Sequence, residues 1–535
     1  MTLWIAGLIA TSLFSAAAQF IPGKPVIIHA AVISKSEDQG ERKSPSLGTA
    51  PPGRIPPGRG GRAGRTDGPP PIPPPPAAPE ISAAAAAIEQ TAQGKRPPLK
   101  LLASFDGLGE GVSGRGGIDL SIAAGPHHIF EILNGNMAVF SKSGKLLFGP
   151  APNNTVFAGF GVRCGVSNNS DSVVRYDQLA GRWLIVVPVF TPPYAMCYAV
   201  SATPDPLGPY YRYEFQRPLF PDYPRPAVWP DGYYNPTSTS DNLLPEVITQ
   251  KHECIAERNK MLQGLPAAEQ CIVIDGGVFL LNSDVDGRRP PPPGAPNIMM
   301  STGGTQLLKI FDDDGIYYYQ VRVNWSDPSK TTVSAPKKIA VAPYHYLCDG
   351  QLSSCVSQPD TARRLDSQGD KLMQRLVYRN FGDHESLLAE HSIATAAGGG
   401  GIRWYEFRLN REHEPFLFQQ GTYAPDGFYR WLASMAMDRQ GNIAMGYSFG
   451  GAPNYPGQRV AARRAKDPKG QLTFHETVLA EGQAPQTGSL RWEDYTNIAV
   501  DPSDDCTFWF VGNYLKKGAA SSTTRIASFA IPGCK

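Results

Sequence analysis

Five charged residues open similar stretches of this sequence, and their types suit acid–base chemistry. Each stretch has a charged first residue, an apolar run, a turn containing Asp, Gly or Pro, and a second apolar run. The first residues are Asp119, Asp171, Asp222, Arg430 and Asp494. Carboxylates that lie close together repel one another, and this repulsion raises some of their pKa values. Two such carboxyl groups can act as general acid and general base, the pair used in glycoside hydrolysis.

The same carboxylates have two alternative uses. A cluster of them is suited to a calcium ion, which binds several oxygen ligands. A single Asp can also cap a turn through its side chain. No cofactor is expected to be required, because zinc spacing and a phosphate-binding loop are both absent from the sequence. Catalysis, calcium binding and turn capping therefore remain open for the cluster.

Basic and aromatic residues near the openers are candidates for completing a site. Arg225 and Tyr495 are predicted to join the catalytic group. The candidates for binding a ligand are Trp229, Trp431, Trp492 and His384. Tryptophan faces suit sugar rings, and a histidine beside a carboxylate can serve as a base or a metal ligand. Packing is the alternative for each residue, since arginine stems commonly cover aromatic surface.

Short strands must carry these openers to one place. From Leu99 onward, apolar and aromatic runs recur between turns, and long amphipathic helices are hard to find. The openers Asp119, Asp171 and Asp222 are 52 and 51 residues apart, a period that suits a four-stranded blade with its loops. The sequence predicts an all-β fold, a single β-propeller of seven or six blades. Its innermost strands would begin at one mouth of a central channel.

Ring closure is expected in such a propeller, because closure removes exposed strand edges. The final strands of the chain are predicted to pair with a strand near Leu101. The hairpin that begins at Arg491 would then close the ring, with Ile498 and Val500 packed between blades and a turn at Asp501.

The first part of the chain predicts export and a linker. Residues 1–18 contain the apolar run LWIAGLIATSLF and end at a small-residue cleavage site, the pattern of a signal peptide. An apolar tail docked on the domain is the alternative. Residues 19–98 are rich in Pro, Gly and Ala and are predicted to be a disordered linker. Residues 99–535 are predicted to be the propeller domain.

Eight cysteines support export, since disulfides persist in oxidising compartments. Neighbours in sequence are expected to pair, because consecutive strands usually lie side by side. The predicted disulfides are Cys164–Cys197, Cys254–Cys271, Cys348–Cys355 and Cys506–Cys534. Buried free thiols are the alternative.

The composition and charge of the chain limit the kinds of molecule that it is expected to bind. The chain has 535 residues and a net charge of +2, and no segment concentrates basic residues into one face. Nucleic-acid binding is therefore not expected. No segment after the signal peptide has the length and purity of a membrane helix. We expect a secreted or periplasmic monomer whose partner is an extracellular polysaccharide or another cell-surface ligand.

Several longer stretches of the sequence also indicate a protein family. They include AAGPHHIFEILNGNMAVFSKSGKLLFGP, MAMDRQGNIAMGYS and RWEDYTNIAVDPSDDCTFWF. As a set they resemble a family of large secreted, mostly bacterial proteins with sialidase-like propeller folds. The resemblance covers nearly all of residues 100–535. Because members of that family are mostly uncharacterised, the resemblance implies the fold and export rather than a reaction. This chain has Glu493 where the family usually has glycine, which would add a carboxylate at the mouth.

Sialidases use an Asp box, S-x-D-x-G-x-x-W, that stabilises turns. Ser503–Trp509 and DRQGNIAMGYS are degenerate relatives of this box, so they indicate the fold. A sialidase site would also need an arginine triad and a tyrosine nucleophile. The resemblance leaves their assignment open among Arg225, Arg375, Arg379, Arg430 and Arg491, with Tyr223 and Tyr495.

Two classes of function remain open. One is a secreted glycan-active enzyme, either a glycoside hydrolase or a polysaccharide lyase, that uses carboxylates, arginines and aromatics at the channel mouth. The other is a non-catalytic extracellular binding or scaffolding propeller, which needs only a rigid ring and its loops. Convergence of the charged openers in one pocket would favour the enzyme, and their scatter on the rim would favour the binding protein.

Overall fold

The computed structural model describes most of the chain from residue 26 onward. The described residues are 26–36, 41–51, 53, 78–161, 163–238, 250–275, 279–303, 314–350 and 354–534. The predicted signal peptide, residues 1–18, lies outside them. Within these ranges no helix is long and apolar enough to cross a membrane.

Several short elements precede the first repeated unit. They are β1 (Ile27–Ile28), β2 (Val32–Lys35), α1 (Ala83–Ala86), β3 (Glu89–Gln90) and β4 (Leu101–Gly109). Short 3-10 helices lie at Leu47–Thr49, Asn153–Phe157, Pro328–Lys330 and Leu347–Asp349.

Three antiparallel sheets follow in chain order. The first contains β5 (Leu120–Ala124), β6 (His128–Leu133), β7 (Asn136–Ser141) and β8 (Leu146–Pro152). The second contains β9 (Val173–Asp177), β10 (Arg182–Val189), β11 (Ala195–Ser201) and β12 (Tyr210–Gln216). The third contains β13 (Ala227–Trp229), β14 (Gly232–Tyr234), β15 (Gln250–Ala256) and β16 (Ala268–Asp275), with α2 (Arg258–Met261) between its last two strands.

A larger sheet runs through the next antiparallel units. Its first strands are β17 (Leu281–Val285), β18 (Asn297–Ser301), β19 (Ile316–Arg322), β20 (Thr332–Val333) and β21 (Lys337–Ile339). A separate pair comes next, β22 (Ser354–Val356) and β23 (Leu365–Asp366). The large sheet continues with β24 (Leu376–Asn380), β25 (Glu385–Ala394), β26 (Gly400–Leu409), β27 (Pro415–Tyr423), β28 (Tyr429–Met437), β29 (Ile443–Gly451), β30 (Asn454–Arg463) and β31 (Thr477–Ala480). The last strands are β32 (Asn497–Val500), β33 (Thr507–Tyr514) and β34 (Thr523–Ala530).

The first strands of these units contact one another around a common axis. Strand β5 contacts β9 and β32, β28 contacts β32, and β13 contacts β17. Strand β17 pairs in parallel with β24. Inner strands around an axis, each followed by antiparallel strands running outward, define a β-propeller, so the predicted all-β propeller is confirmed. The blade number stays a prediction, because the large sheet runs through several units without a break.

The ends of the chain close the ring. Strand β4 pairs antiparallel with β34, and Ile526 lies opposite Phe105. The predicted closure near Leu101 is therefore present. All four predicted disulfides are also present, and Cys506–Cys534 ties the start of β33 to the segment after β34. Ile498 and Val500 pack with apolar residues of β29, β30 and β33, as predicted.

Aspartates stabilise two hairpin turns. The Asp504 carboxylate accepts from the amides of Cys506 at 2.9 Å and Thr507 at 3.0 Å. In the second turn Asp438 accepts from the amides of Gln440 at 2.8 Å and Asn442 at 3.0 Å. Both degenerate Asp boxes are thus turn caps, the structural use that aspartate side chains have in such turns.

The segment predicted as a disordered linker, residues 19–98, needs correction. Strands β1 and β2 pair antiparallel with β16, and β3 pairs in parallel with β27. The Leu47 side chain is 1% exposed and packs in the core formed by the first two sheets. The composition averaged over this segment hid the β-branched run PVIIHAAVIS, which can pair with an open sheet edge. For its described residues the expectation of disorder is wrong.

Candidate functional site

The starts of four inner strands bring four aspartates together. Asp119 directly precedes β5, Asp171 lies two residues before β9, Asp222 lies five before β13, and Asp494 lies three before β32. The amide of Asp171 donates to the Asp119 carboxylate at 3.4 Å. The charge of Asp494 influences the other three carboxyl groups. We call this group the aspartate cluster; its predicted catalytic role stays a prediction.

Local backbone geometry fixes the centre of the cluster. Asp171 and Tyr223 have φ values of 62° and 53°, in the left-handed region that side chains larger than glycine seldom adopt. The Tyr223 amide donates to one Asp171 carboxylate oxygen at 3.2 Å, and the Ser170 hydroxyl donates to the other at 2.8 Å. The chain thus accepts two uncommon conformations in the segments that hold Asp171.

Burial changes the protonation of the cluster. Asp119 is 3% exposed, and burial together with the nearby Asp494 charge raises its pKa to about 7. Burial and the other three carboxylates hold the pKa of Asp171 well above its usual range. Burial also raises the pKa of Asp222, with a further contribution from Asp494. The cluster therefore retains protons near neutral pH, which is the state that a general acid needs.

Asp494 is a partly exposed member of the cluster. Its side chain is 16% exposed and forms an ion pair with the Arg491 guanidinium. The side-chain amide of Gln368 donates to the same carboxylate at 2.5 Å. Arg491 also lies 2.9 Å from a carboxylate oxygen of Asp366, whose pKa burial raises to about 7.

The two residues that precede Asp494, Trp492 and Glu493, face away from the cluster. The Trp492 indole donates to the Ser448 hydroxyl at 2.8 Å. The Glu493 carboxylate accepts from the Asn513 amide at 2.5 Å and from Ser448 at 3.2 Å. Glu493 was expected to add a carboxylate at the mouth, but it is buried beside β33, and this burial raises its pKa to about 8.

Aromatic rings line one side of the aspartate cluster. The Tyr223 and Tyr495 rings lie 4.7 Å apart between centroids, and Phe279 meets Tyr223 edge-on at 6.1 Å. The Tyr223 hydroxyl donates to the backbone carbonyl of Asp494 at 2.8 Å. Arg225 lies over the Tyr223 ring, with 4.6 Å between its guanidinium carbon and the ring centroid. The structure therefore places the predicted Arg225 and Tyr495 at the cluster.

Several residues of this site were missed by the sequence interpretation. They are Lys251, Phe279, Asp366, Gln368, Asp370 and Lys371. Part of the signal was present, because the polar stretch DSQGDK precedes the apolar strand β24 just as the predicted openers precede theirs. Lys251 and Phe279 carried no comparable pattern.

Other predicted residues lie outside the cluster, and we correct the expectation for them. Arg430 is buried between Glu476 at 2.6 Å and Asp426 at 2.7 Å. Trp229 donates to the Ala295 carbonyl at 3.3 Å within a hydrophobic core. Trp431 and Trp492 are buried and pack against each other, so neither presents a free face to a sugar ring.

His384 was also predicted to bind ligand. It lies in the turn after β24, whereas the aspartate cluster lies at the start of the inner strands. Its ring stacks on Phe381 at 4.9 Å, and its Nδ1 contacts Asp383 at 2.8 Å. His384 is therefore a turn residue at the opposite end of its strand.

Buried ion pairs join the inner strands beyond the cluster. Arg375 donates to Asp284 at 2.5 Å and to Asp286 at 2.6 Å, and Arg175 lies 3.4 Å from Asp284. Arg379 is paired with Asp505 at a hairpin turn. Of the arginines offered for a triad, Arg375 and Arg379 are thus engaged elsewhere.

The carboxylate oxygens of the aspartate cluster are not among the described groups of possible metal ligands that lie close together. In the part of the chain that is described, two groups of three His, Cys, Asp or Glu residues have ligand atoms within 4.8 Å of one another. Their members are His252, Cys254 and Cys271 in one group, and Cys164, Cys197 and Glu214 in the other. The cysteines of both groups are joined in disulfides, so they offer no thiolate. Calcium at the aspartates stays a prediction.

No protein-family model and no curated protein matches this chain. Solved structures resemble it at low identity. PorZ, a surface component of the type-IX secretion system of Porphyromonas gingivalis, is 10% identical with a TM-score of 0.30; the match covers 81% of this chain and only 40% of PorZ. An endo-arabinase from Bacteroides thetaiotaomicron is 11% identical with a TM-score of 0.26, over 68% of this chain and 95% of that one.

A subtype N11 neuraminidase-like protein of the strain A/flat-faced bat/Peru is 8% identical with a TM-score of 0.29, over 83% of this chain and 98% of that one. A neuraminidase-like protein thus occurs among these structural neighbours. The sialidase-like family itself stays a prediction.

Proposed function

We propose that this protein is an extracellular glycan hydrolase whose acid–base group is the aspartate cluster. The observation that carries the proposal is the meeting of Asp119, Asp171, Asp222 and Asp494 from four different inner strands, with raised pKa values for the first three. Glycoside hydrolysis needs one protonated carboxyl group beside one carboxylate. This cluster offers both states near neutral pH.

The roles follow from burial and pairing. Asp119, which is buried and has a pKa of about 7, would donate a proton to the glycosidic oxygen as the bond from that oxygen to the sugar carbon breaks. Asp494, which forms an ion pair with Arg491, would act on the opposite side of the sugar carbon. Water supplies the hydroxyl group of the new reducing end, and its remaining proton returns to the cluster. Asp171 and Asp222 would hold the shared protons in place.

An extracellular location fits the covalent structure. The four disulfides are typical of chains that fold in an oxidising compartment. The predicted signal peptide at residues 1–18 would direct the chain there. The partner would be a polysaccharide outside the cell.

A non-catalytic binding propeller is the competing function. Such a protein needs a rigid ring and exposed loops, and it does not need four carboxyl groups that converge from different strands. Perturbed titratable groups in a cleft are more typical of catalytic sites. The aspartate cluster therefore favours the enzyme.

The test is incubation of the purified protein with a panel of neutral and acidic polysaccharides. Reducing ends report hydrolysis, and absorbance of unsaturated uronates reports a lyase reaction. We expect reducing ends without unsaturated products, and their loss in Asp119→Asn and Asp494→Asn. The matched control is Glu131→Gln, because Glu131 is another buried carboxyl group with a pKa raised to about 7 but hydrogen-bonds Leu108 and Thr524 away from the cluster. Binding without any product would show the non-catalytic propeller instead.

A further inference from the structure

Two buried cations beside the aspartate cluster lack acidic partners in the described part of the chain. Arg225 is 2% exposed, and none of its three guanidinium nitrogens has a hydrogen-bond partner. Lys251 is 5% exposed and forms no ion pair there. By contrast, the buried Arg217 contacts Glu269 at 2.8 Å and the buried Arg430 contacts Glu476 at 2.6 Å. Burial of a charge without a partner is unfavourable, so these two positions call for an explanation.

The two cations face the same aromatic ring. The Lys251 ammonium lies 4.8 Å from the Phe279 centroid, and the Arg225 guanidinium carbon lies 5.7 Å from it. The Lys371 ammonium is also near this ring, at 4.3 Å, but Lys371 contacts Asp370 at 3.0 Å. Contacts with an aromatic face compensate a buried cation only in part. The hydrogen-bonding capacity of Arg225 remains unused.

Nearby carboxylates do not satisfy this pair either. Asp222 is close enough to influence the pKa values of both Arg225 and Lys251, yet it makes no direct ion pair with them. Protons retained on Asp119, Asp171 and Asp222 also lower the negative charge that the cluster can offer. The site therefore combines the partly neutral carboxyl groups of the aspartate cluster with two cations, Arg225 and Lys251, that have no anionic partner among the described residues. Asp222 and Phe279 are only half-buried, so this side of the mouth reaches the surface.

We infer that Arg225 and Lys251 bind the carboxylate of an acidic sugar residue, which makes the substrate class an acidic polysaccharide. A planar guanidinium with free N–H groups matches a carboxylate in two parallel hydrogen bonds, and the lysine adds a point charge. The half-buried Phe279 ring offers an apolar surface for the sugar. This inference rests on the proposed function, because the bound residue would lie against the aspartate cluster.

The experiment compares binding and cleavage of defined probes. The acidic probes are polygalacturonate and hyaluronate, the sulfated probe without carboxylate is carrageenan, and the neutral probes are arabinan and xylan. Calorimetry measures affinity and reducing ends measure cleavage. For the wild type we expect binding of a carboxylated probe, weakening with added salt and as pH rises through about 7, where Lys251 loses its proton.

Variants assign the effect to the two cations. Arg225→Gln and Lys251→Gln should each lower affinity for that probe at least tenfold, whereas Lys251→Arg should recover most of it. The matched control is Lys337→Gln, because Lys337 is exposed and paired with Glu414 far from these contacts. Circular dichroism checks that each variant folds. If Arg225→Gln does not fold, the Lys251 variants and the salt and pH dependence of the wild type decide the question.

The outcomes separate this inference from the proposed function. Cleavage of a neutral probe, unchanged in both Gln variants, overturns the inference and leaves the hydrolase intact. Tight binding of a carboxylated probe without cleavage supports the inference and overturns the hydrolase. Preference for the sulfated probe overturns the carboxylate assignment. Absence of binding to every probe overturns both.

Discussion

Asp119 keeps a proton near neutral pH because burial withdraws its carboxyl group from water. Asp119→Asn supplies a neutral group of the same shape but cannot donate the proton. We expect the rate of product formation to fall by about 100-fold or more, the range typical of a lost general acid. The melting temperature at pH 8 should stay the same or rise, because a buried charge is removed. Reducing-end assays and thermal melts measure the two effects, and a folded variant with wild-type activity would exclude Asp119 as the acid.

Buried acids also give the protein a defined pH dependence. Burial raises the pKa of Asp119, Glu131 and Asp366 to about 7 and that of Glu493 to about 8. In the unfolded chain these groups titrate near 4. Between those values the folded state binds more protons, so its stability falls as pH rises from about 4 to about 8 and then levels off. Thermal melts from pH 5 to pH 9 should show this fall, with a shallower slope for Glu131→Gln. A melting temperature that rises over this interval would contradict the assignment.

Substitution of Asp494 tests whether this residue acts in ligand binding or only stabilises the fold. Asp494→Asn keeps an oxygen that can accept from Gln368 but removes the ion pair with Arg491. Because this pair is partly exposed, we expect a change in unfolding free energy of at most about 1 kcal/mol. Ligand binding or turnover should be abolished. Should the variant instead unfold at room temperature, Asp494 is a structural cap of its hairpin.

Among the elements, the antiparallel pair of β33 and β34 is closed by a disulfide between Cys506 and Cys534. Removing Cys506–Cys534 by Cys534→Ser, paired with Cys506→Ser to avoid a free thiol, should lower stability by about 2–4 kcal/mol. The aspartate cluster lies before β32 and is held by other contacts, so turnover at 25 °C should be unchanged. The melting temperature measures the loss of stability, and the rate of reducing-end formation measures turnover. A loss of turnover without a change in melting would place the disulfide in the site.

The strands show what the sequence alone can predict. The apolar runs between turns were sufficient to predict the fold, and the neighbouring cysteines were sufficient to predict the disulfides. The repeated pattern of openers correctly brought together four of the five predicted residues, the aspartates. The prediction for Arg430 was wrong because this residue lies inside β28 and pairs with Glu476 and Asp426, whereas the clustered aspartates precede their strands. The cations Lys251 and Lys371 could not be found, because only the folded ring brings β15 and the segment before β24 to the same aromatic wall.

For the whole molecule, the amino-terminal arm contributes to stability. Deletion of residues 19–98 should lower the melting temperature and promote association, because it uncovers the edge of β16 and the pocket that Leu47 fills. Leu47→Ala tests the packing part alone and should cost about 3 kcal/mol. Val32→Ala is the matched control, since Val32 is exposed on the same arm and should matter little. A deletion variant as stable as the full chain would restore the interpretation of this segment as a passive linker.

Strand β4 completes its sheet with β34, a partner more than 400 residues later in the chain. A chain that emerges amino end first must therefore keep β4 unpaired until β34 has been synthesised or exported. Non-local pairing of this kind is slow, and open edges are prone to aggregate while they wait. A product interrupted before Thr523 would leave both β4 and β33 with open edges. Strand β34 thus decides whether the edge of β4 is covered, because only a chain that extends through β34 can pair with it.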